Sequence, residues 1–523
     1  MTLLKTLAFG LLFLLLTTAC QDDVHIGRPL LSFDFNNNVH NQGLAKVAVF
    51  GPQVQGYHYE KRDTSLDFSL HSISRQPLSV KFKDLFSLED YDGFTIAIRV
   101  KKHIGDNEAY TILSQESQDS LGLNGWQIMT QKNGAWGWQL SDGISQWTYY
   151  PTEKQTINDG NWHHLVFSYD SNKQEARLYY DGKNVAIYSV WENQMLLDGI
   201  PLTIGISSDS VLATKDLFNG QVDDLAMWSR PLKSYEIEAL YREKGDKSIS
   251  QVELDEQLTV MTWNIWDGGV NDGKHVGIKR VIDVIEGASP DVVVLQEVNG
   301  SGPVIADALD YTLYYRSEGI NLLTRYPMGE SHNLYRSETI GCVELILNAN
   351  ESVLTCPVFL NDMPQLDDYI KSGEAVEDSI LILEESTRGK EIRFILSELS
   401  QLSLRANKTP IVLAGDFNSG SHLDWTVKNI SNNRNLKVMY PVTKKLETKG
   451  FVDSYRALYP DETKDVGKTW SLRSSEVIAN RIDYIFYKGK KLRPINSFLI
   501  DDHPLGFPSD HAALVSTFQW VAE

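Results

Sequence analysis

The chain has 523 residues, which suggests three or so domains, or two large ones. A composition of 42% apolar and 23% charged residues is globular and excludes a disordered chain. The formal charge of −20 (49 basic, 69 acidic) excludes a protein that coats nucleic acid with a basic face, and three cysteines exclude a disulfide scaffold or a multi-cysteine zinc array.

Lys5 and the apolar run 7–16, broken only by Gly10, read as the core of a secretory signal. The run is too short to span a bilayer permanently. Thr17, Thr18 and Ala19 precede Cys20, which resembles a bacterial lipoprotein lipobox. The resemblance implies cleavage of residues 1–20, lipidation at Cys20, a polar tether at 21–27 and export to the periplasm or cell surface, anchored in a membrane.

Residues 28–245 read as all-β, with short alternating runs at 94–100, 162–169, 176–180 and 202–206, and an Asp-Gly turn at 181–182. One helix is predicted over 234–243. Trp162 and Trp228 sit in apolar alternation and read as core, whereas Trp136, Trp138 and Trp147 flank Gly and Ser and fit either a sugar face or the core. His163 and His164 are adjacent on a strand, so they face opposite ways and do not share a metal. The phrases Asp159-Gly160-Asn161-Trp162-His163-His164-Leu165-Val166, Phe218-Asn219-Gly220-Gln221-Val222-Asp223-Asp224-Leu225 and Trp228-Ser229-Arg230-Pro231-Leu232 resemble the laminin-G/concanavalin-like family. The resemblance implies an all-β jelly-roll sandwich and a glycan or adhesion ligand, and leaves Ca²⁺ open there.

Residues 246–257 are polar and aperiodic and read as a linker. From 258 to 523 strands and helices alternate: strands at 258–264, 290–295, 321–324, 342–347, 353–360 and 410–413, helices at 279–286 and 386–400. This is an α/β pattern with mixed sheets. Polar clusters sit at strand ends: Asn264, Gln296-Glu297, Asp416-Phe417-Asn418, Asp483, and Ser509-Asp510-His511. A carboxylate directly after a buried strand is costly without a partner, and several at one edge point to a metal. Oxygen ligands of this kind suit Mg²⁺ or Mn²⁺ rather than Zn²⁺.

This ordered set resembles the endonuclease/exonuclease/phosphatase superfamily. The resemblance implies a four-layer α/β sandwich with two mixed sheets and metal-assisted attack of water on a phosphoester. It implies Glu297 as the main metal ligand, with Asn264 and Asp510 in support. Asp416 would orient or deprotonate water, Asn418 would hold a phosphate oxygen, and Asp483 would orient His511. One position departs from the pattern: Phe359 stands where many members carry a histidine, with Asn361, Asp362 and His422 as alternative contributors or as surface residues.

The expected activity is an exported, Mg-dependent phosphoric ester hydrolase, a phosphodiesterase or nuclease with extracellular nucleic acid first. A lipid or small-molecule phosphodiesterase/phosphatase is the alternative, and an adhesin with a degenerate catalytic half is the non-enzyme alternative. Two basic runs, 428–449 and 488–493, read as solvated faces or as local guides for a polyanion. Cys342 and Cys356 are symmetric about Ala349 in the turn Asn348-Ala349-Asn350, so a hairpin there opposes them and predicts a disulfide in an exported chain.

Overall fold

The computed structural model describes residues 24–521 apart from 37, 52–56, 61–62, 69–76, 84–90, 119–121, 191–198, 208–216, 244–255, 349 and 474–479. The expected signal, Cys20 and most of the linker lie outside the described residues. No helix among those described is long and apolar enough to cross a membrane.

The first half is the expected two-sheet sandwich. One sheet carries Gly93–Lys102, His163–Asp170, Glu175–Tyr180, Lys183–Ser189 and Gly220–Trp228; the facing sheet carries Thr111–Gln118, Leu123–Thr130, Trp136–Asp142, Gln146–Tyr149 and Leu202–Ile204. Alternate residues of both sheets meet in one core. Trp126, Trp136 and Trp138 are fully buried there and Trp147 nearly so. That settles the choice for Trp136, Trp138 and Trp147: they pack the interior and line no sugar face. Trp162, expected in the core, is only half-buried, with the Lys101 ammonium over its ring at 5.9 Å. His163 and His164 do point apart: His163 lies between Asp159 and Asp181, while His164 stacks on Tyr241.

The second half is a helix–sheet–sheet–helix sandwich. Gln257–Asn264 and Val292–Gln296 run parallel at the centre of its first sheet. Gln257, taken as the last linker residue, already belongs to that strand. Ser352–Phe359, Ile411–Asp416 and Asp483–Lys488 form the middle of its second sheet. Val260, Val294, Leu322, Val412, Ile485 and Leu514 fill the space between the sheets. The helix Lys274–Ala288 covers the outside of the first sheet through Val281 and Ile285, and Arg388–Glu398 covers the second through Ile392 and Ile395. The helix expected over 386–400 is Arg388–Glu398; a helix that was not expected, Glu377–Ser386, ends just before it, the two separated at Thr387 where φ is −116° and ψ −102°.

Cys342 and Cys356 are disulfide-bonded, with Cα atoms 4.1 Å apart. The register Val343↔Thr355 places them opposite each other across the hairpin.

The two halves share a sheet. Lys183–Ser189 of the sandwich pairs in parallel with Thr312–Ser317, in the register Ile187↔Tyr314. A strand that would otherwise leave its backbone groups bare at the sheet edge is thereby covered. Polar contacts fix the junction. Buried Asp307 accepts from the Thr152 backbone N–H (2.8 Å), from the Thr152 hydroxyl and from Gln155 Nε2 (2.6 Å). The buried Arg316 guanidinium donates to the Ser189 hydroxyl and to the Ile340 carbonyl.

Candidate active site

The strand ends gather at one edge. Parallel pairing of Asn264 with Gln296 brings Asn264 and Glu297 to the same level of the first sheet. In the second sheet Asp416 pairs with Phe359 on one side and Asp483 on the other. Both sheets open at this edge into a cavity of about 240 Å³, lined among others by Trp266, Glu297, Phe359, Asp362, Asp367, Asp416, Asn418, Tyr440, Trp470, Asp510 and His511.

Asn264 Nδ2 donates to Glu297 Oε1 (2.9 Å) and Asp416 Oδ2 (3.2 Å), and its Oδ1 accepts from the Trp266 backbone N–H (3.0 Å). The amide therefore bridges the two carboxylates and holds them in place. The Glu297 backbone lies in the left-handed region at φ 53°, and Trp266, Asp267 and Asn418 share that conformation at φ 53°, 51° and 48°. Left-handed non-glycine residues cost on the order of 1–3 kcal/mol each, and such strain gathers at functional sites. Asn418 donates its backbone N–H to Asp416 Oδ1 (2.8 Å) and its side-chain N–H to the Leu360 carbonyl (2.9 Å), which leaves one amide hydrogen for a ligand.

His511 Nδ1 donates to Asp483 Oδ2 at 3.0 Å. Burial opposes charge on the ring, but the Asp483 carboxylate overrides it and lifts the imidazole to about 9. Burial, reinforced by Asp483, raises the Asp416 carboxyl well above the ordinary carboxylate range. Ligand atoms of Asp416, Asp483 and His511 all lie within 4.8 Å of one another. No other such group of metal-ligating side chains occurs among the described residues, the sandwich included.

Asp510 Oδ2 accepts from Trp470 Nε1 (3.0 Å), while its Oδ1 is buried without a partner; so is Asp483 Oδ1. Orphaned carboxylate oxygens at this edge fit a divalent cation, because buried acceptors of this kind need a positive partner. Asp510 lines the cavity together with Glu297, whereas the metal-ligating atoms within 4.8 Å of one another are those of Asp416, Asp483 and His511.

Sequence reasoning missed Trp470 and gave Ser509, part of the cluster Ser509-Asp510-His511, no task of its own. Ser509 Oγ donates to the Asn264 carbonyl (2.7 Å) and accepts from the His511 backbone N–H (3.0 Å), locking strand end to strand end. Its place beside Asp510 was the available signal. Trp470 is 40 residues from Asp510, and no local pattern links them. Of the alternatives to the absent histidine, His422 is bonded to Thr443 (2.8 Å) and Glu447 (3.2 Å) and does not line the cavity. Asn361 caps the Met363 N–H (2.8 Å), and Asp362 lines the cavity. Phe359 forms part of its apolar wall.

Residues 78–238 match the concanavalin A-like lectin/glucanases superfamily, and residues 261–511 match the endonuclease/exonuclease/phosphatase family. The uncharacterized protein F14F9.5 of Caenorhabditis elegans is 28% identical over 297 residues, 50% of this chain and 92% of that protein. Truncated C. elegans TDP2 is similar in structure (18% identity, TM-score 0.36), with 50% of this chain and 97% of that one covered. The human nocturnin catalytic domain with bound sulfate is similar too (18% identity, TM-score 0.36; 52% and 97% covered).

Proposed function

We propose that this chain, in which a concanavalin A-like domain is followed by an endonuclease/exonuclease/phosphatase domain, is an exported, membrane-tethered and metal-dependent phosphodiesterase. The convergence of Asp416, Asp483 and His511 within 4.8 Å, with Asp416 and His511 lining one cavity with Glu297 and Asp510, carries the reading. Export and a lipid anchor at Cys20 rest on the N-terminal sequence.

Each side chain then has a task. Glu297 and Asp510 would hold Mg²⁺ or Mn²⁺, which supplies charge neutralisation for the phosphate and polarises its ester bond. Asn264 keeps Glu297 aimed. Asp416, with its raised affinity for a proton, takes one from the attacking water. His511 is held protonated by Asp483 and donates a charged hydrogen bond to the phosphate as negative charge builds on it. Asn418 offers its remaining amide hydrogen to a phosphate oxygen.

A screen of the full chain with DNA, RNA, sphingomyelin and a simple aryl phosphodiester, with Mg²⁺ or Mn²⁺ and with chelator, tests this. Hydrolysis of at least one diester that stops in chelator is expected. Hydrolysis that continues in chelator overturns the metal assignment, and no hydrolysis of any ester overturns the enzyme reading.

A further inference from the structure

Two oppositely charged side chains line the catalytic cavity and have no task in the chemistry above. Glu384 and Arg388 are 0% and 1% exposed. Glu384 lies in the last turn of Glu377–Ser386, and Arg388 opens Arg388–Glu398. The guanidinium donates from Nε (3.0 Å) and from Nη2 (2.6 Å) to Glu384 Oε1. The pair adds no net charge to the cavity. The next carboxylate, Glu385, is half-exposed and pairs on the outside with Lys445 and Arg393 (2.5 Å each).

Both ends of the buried pair reach toward Asn418. Glu384 Oε2 accepts from the buried Ser419 hydroxyl (2.8 Å), and Ser419 directly follows Asn418. Arg388 donates from Nη1 to the Asn361 carbonyl (3.1 Å) and from Nη2 to the Pro364 carbonyl (3.2 Å). Glu391 of the same helix accepts from the Asn361 backbone N–H (3.0 Å). The segment held in this way leaves the strand that ends at Phe359, and its Leu360 carbonyl accepts the Asn418 side-chain amide (2.9 Å). Stability is a poor account of the pair. Burying two charges costs several kcal/mol per ion, and apolar side chains of like volume often serve a core equally well. The Asn418 backbone is left-handed at φ 48°, a conformation that persists only where its surroundings over-determine it.

We infer that Glu384 and Arg388 are positioning residues of the reaction: the pair fixes Asn418, Glu384 through Ser419 and Arg388 through the segment that carries the Leu360 carbonyl. The inference rests on the phosphodiesterase reading and deepens it. The Asn418 amide meets the phosphate most strongly as negative charge builds in the transition state. A donor displaced from that place lowers kcat and leaves ground-state binding nearly intact.

Ser419→Ala and Arg388→Lys test it on the full chain with Mn²⁺ and an activated nitrophenyl phosphodiester, which keeps slow variants measurable. Ser419→Ala leaves the ion pair whole, so it decides the matter alone if Arg388→Lys does not fold. Arg388→Lys keeps the charge and loses the planar fork that spans Glu384, Asn361 and Pro364. Each should lower kcat about 10-fold with KM changed by less than about twofold, since a misplacement of about 1 Å can cost up to about 10²-fold. In an Asn418→Ala background each should cost less than about twofold more, because residues that act through one group are non-additive. Glu385→Gln, next door on the surface, should leave kcat and KM unchanged. Unchanged kcat in Ser419→Ala, an equal loss in Glu385→Gln, or losses that recur in full without the Asn418 amide overturn the inference and leave the phosphodiesterase reading standing. No hydrolysis by the wild-type chain overturns that reading itself.

Discussion

The His511 imidazole donates from Nδ1 to Asp483 Oδ2 at 3.0 Å, and the same aspartate sits opposite Asp416 in the antiparallel register. One carboxylate thus governs both partners of the proposed proton chemistry: it charges the ring and raises the proton affinity of Asp416. Thr469 Oγ1 steadies it by accepting from the Ile482 and Asp483 backbone N–H groups (3.0 and 3.2 Å).

Asp483→Asn and His511→Ala should each lower kcat on the order of 10²–10⁴-fold. Groups that act as a unit are non-additive, so the double variant should lose little more than the worse single one. Steady-state kinetics of the three variants on one diester decides it, and losses that multiply would contradict the pairing.

The raised His511 pKa also links stability to pH. An imidazole at about 9 in the fold and about 6.5 unfolded contributes stability fully present below about 6.5 and lost as pH rises through about 9. Denaturant unfolding in chelator should show stability falling across that window. The fall should be smaller in His511→Gln; an equal fall in the variant would place the titration elsewhere.

Glu297→Ala should cost on the order of 10²–10³-fold in metal-supported turnover, because it removes charge where the phosphate needs it neutralised. The fold should persist, since Asn264 keeps Asp416 as a partner. Metal titration by calorimetry, with circular dichroism as the folding control, checks both halves. Wild-type metal affinity in the variant would remove Glu297 from the ligand set.

Every assigned catalytic residue lies within 258–523, so that fragment should hydrolyse a small diester. It also bares the Thr312–Ser317 edge and leaves buried Asp307 without Thr152 and Gln155. Self-association and a lower Tm than the full chain are therefore expected. Light scattering and thermal melts measure this, and a folded, monomeric but inert fragment would show that the sandwich contributes to the site.

Reducing Cys342–Cys356 should lower stability by about 3 kcal/mol, the entropy of closing a loop of roughly 15 residues. Both sulfurs lie in the fully buried core under the strand that ends at Phe359. Mass spectrometry of the unreduced chain checks the bond, and two alkylated thiols would refute it.

Much of the site was legible because strand ends are local. An apolar run that stops at Asn264, Gln296-Glu297 or Asp416 marks its own boundary, and parallel strands of one sheet bring such boundaries to one edge. The Cys342–Cys356 opposition followed from hairpin symmetry, also a local property. What the sequence left open depends on partners distant in the chain. Periodicity shows that a strand has two faces, not which strand lies beside it, so the pairing of Lys183–Ser189 with Thr312–Ser317 had no signature. Flanking Gly and Ser residues did not tell that Trp136 and Trp138 fill the sandwich, because burial is decided by the facing sheet. The basic runs looked available as runs of charge, yet Lys428, Lys445 and Lys491 are paired with Asp461, Glu385 and Glu351, which arrive from other elements. Part of the cavity lining was hidden for the same reason: Asp362, Asp367 and Tyr440 come to line one cavity with Asp416 only when the second sheet and its helices close around it.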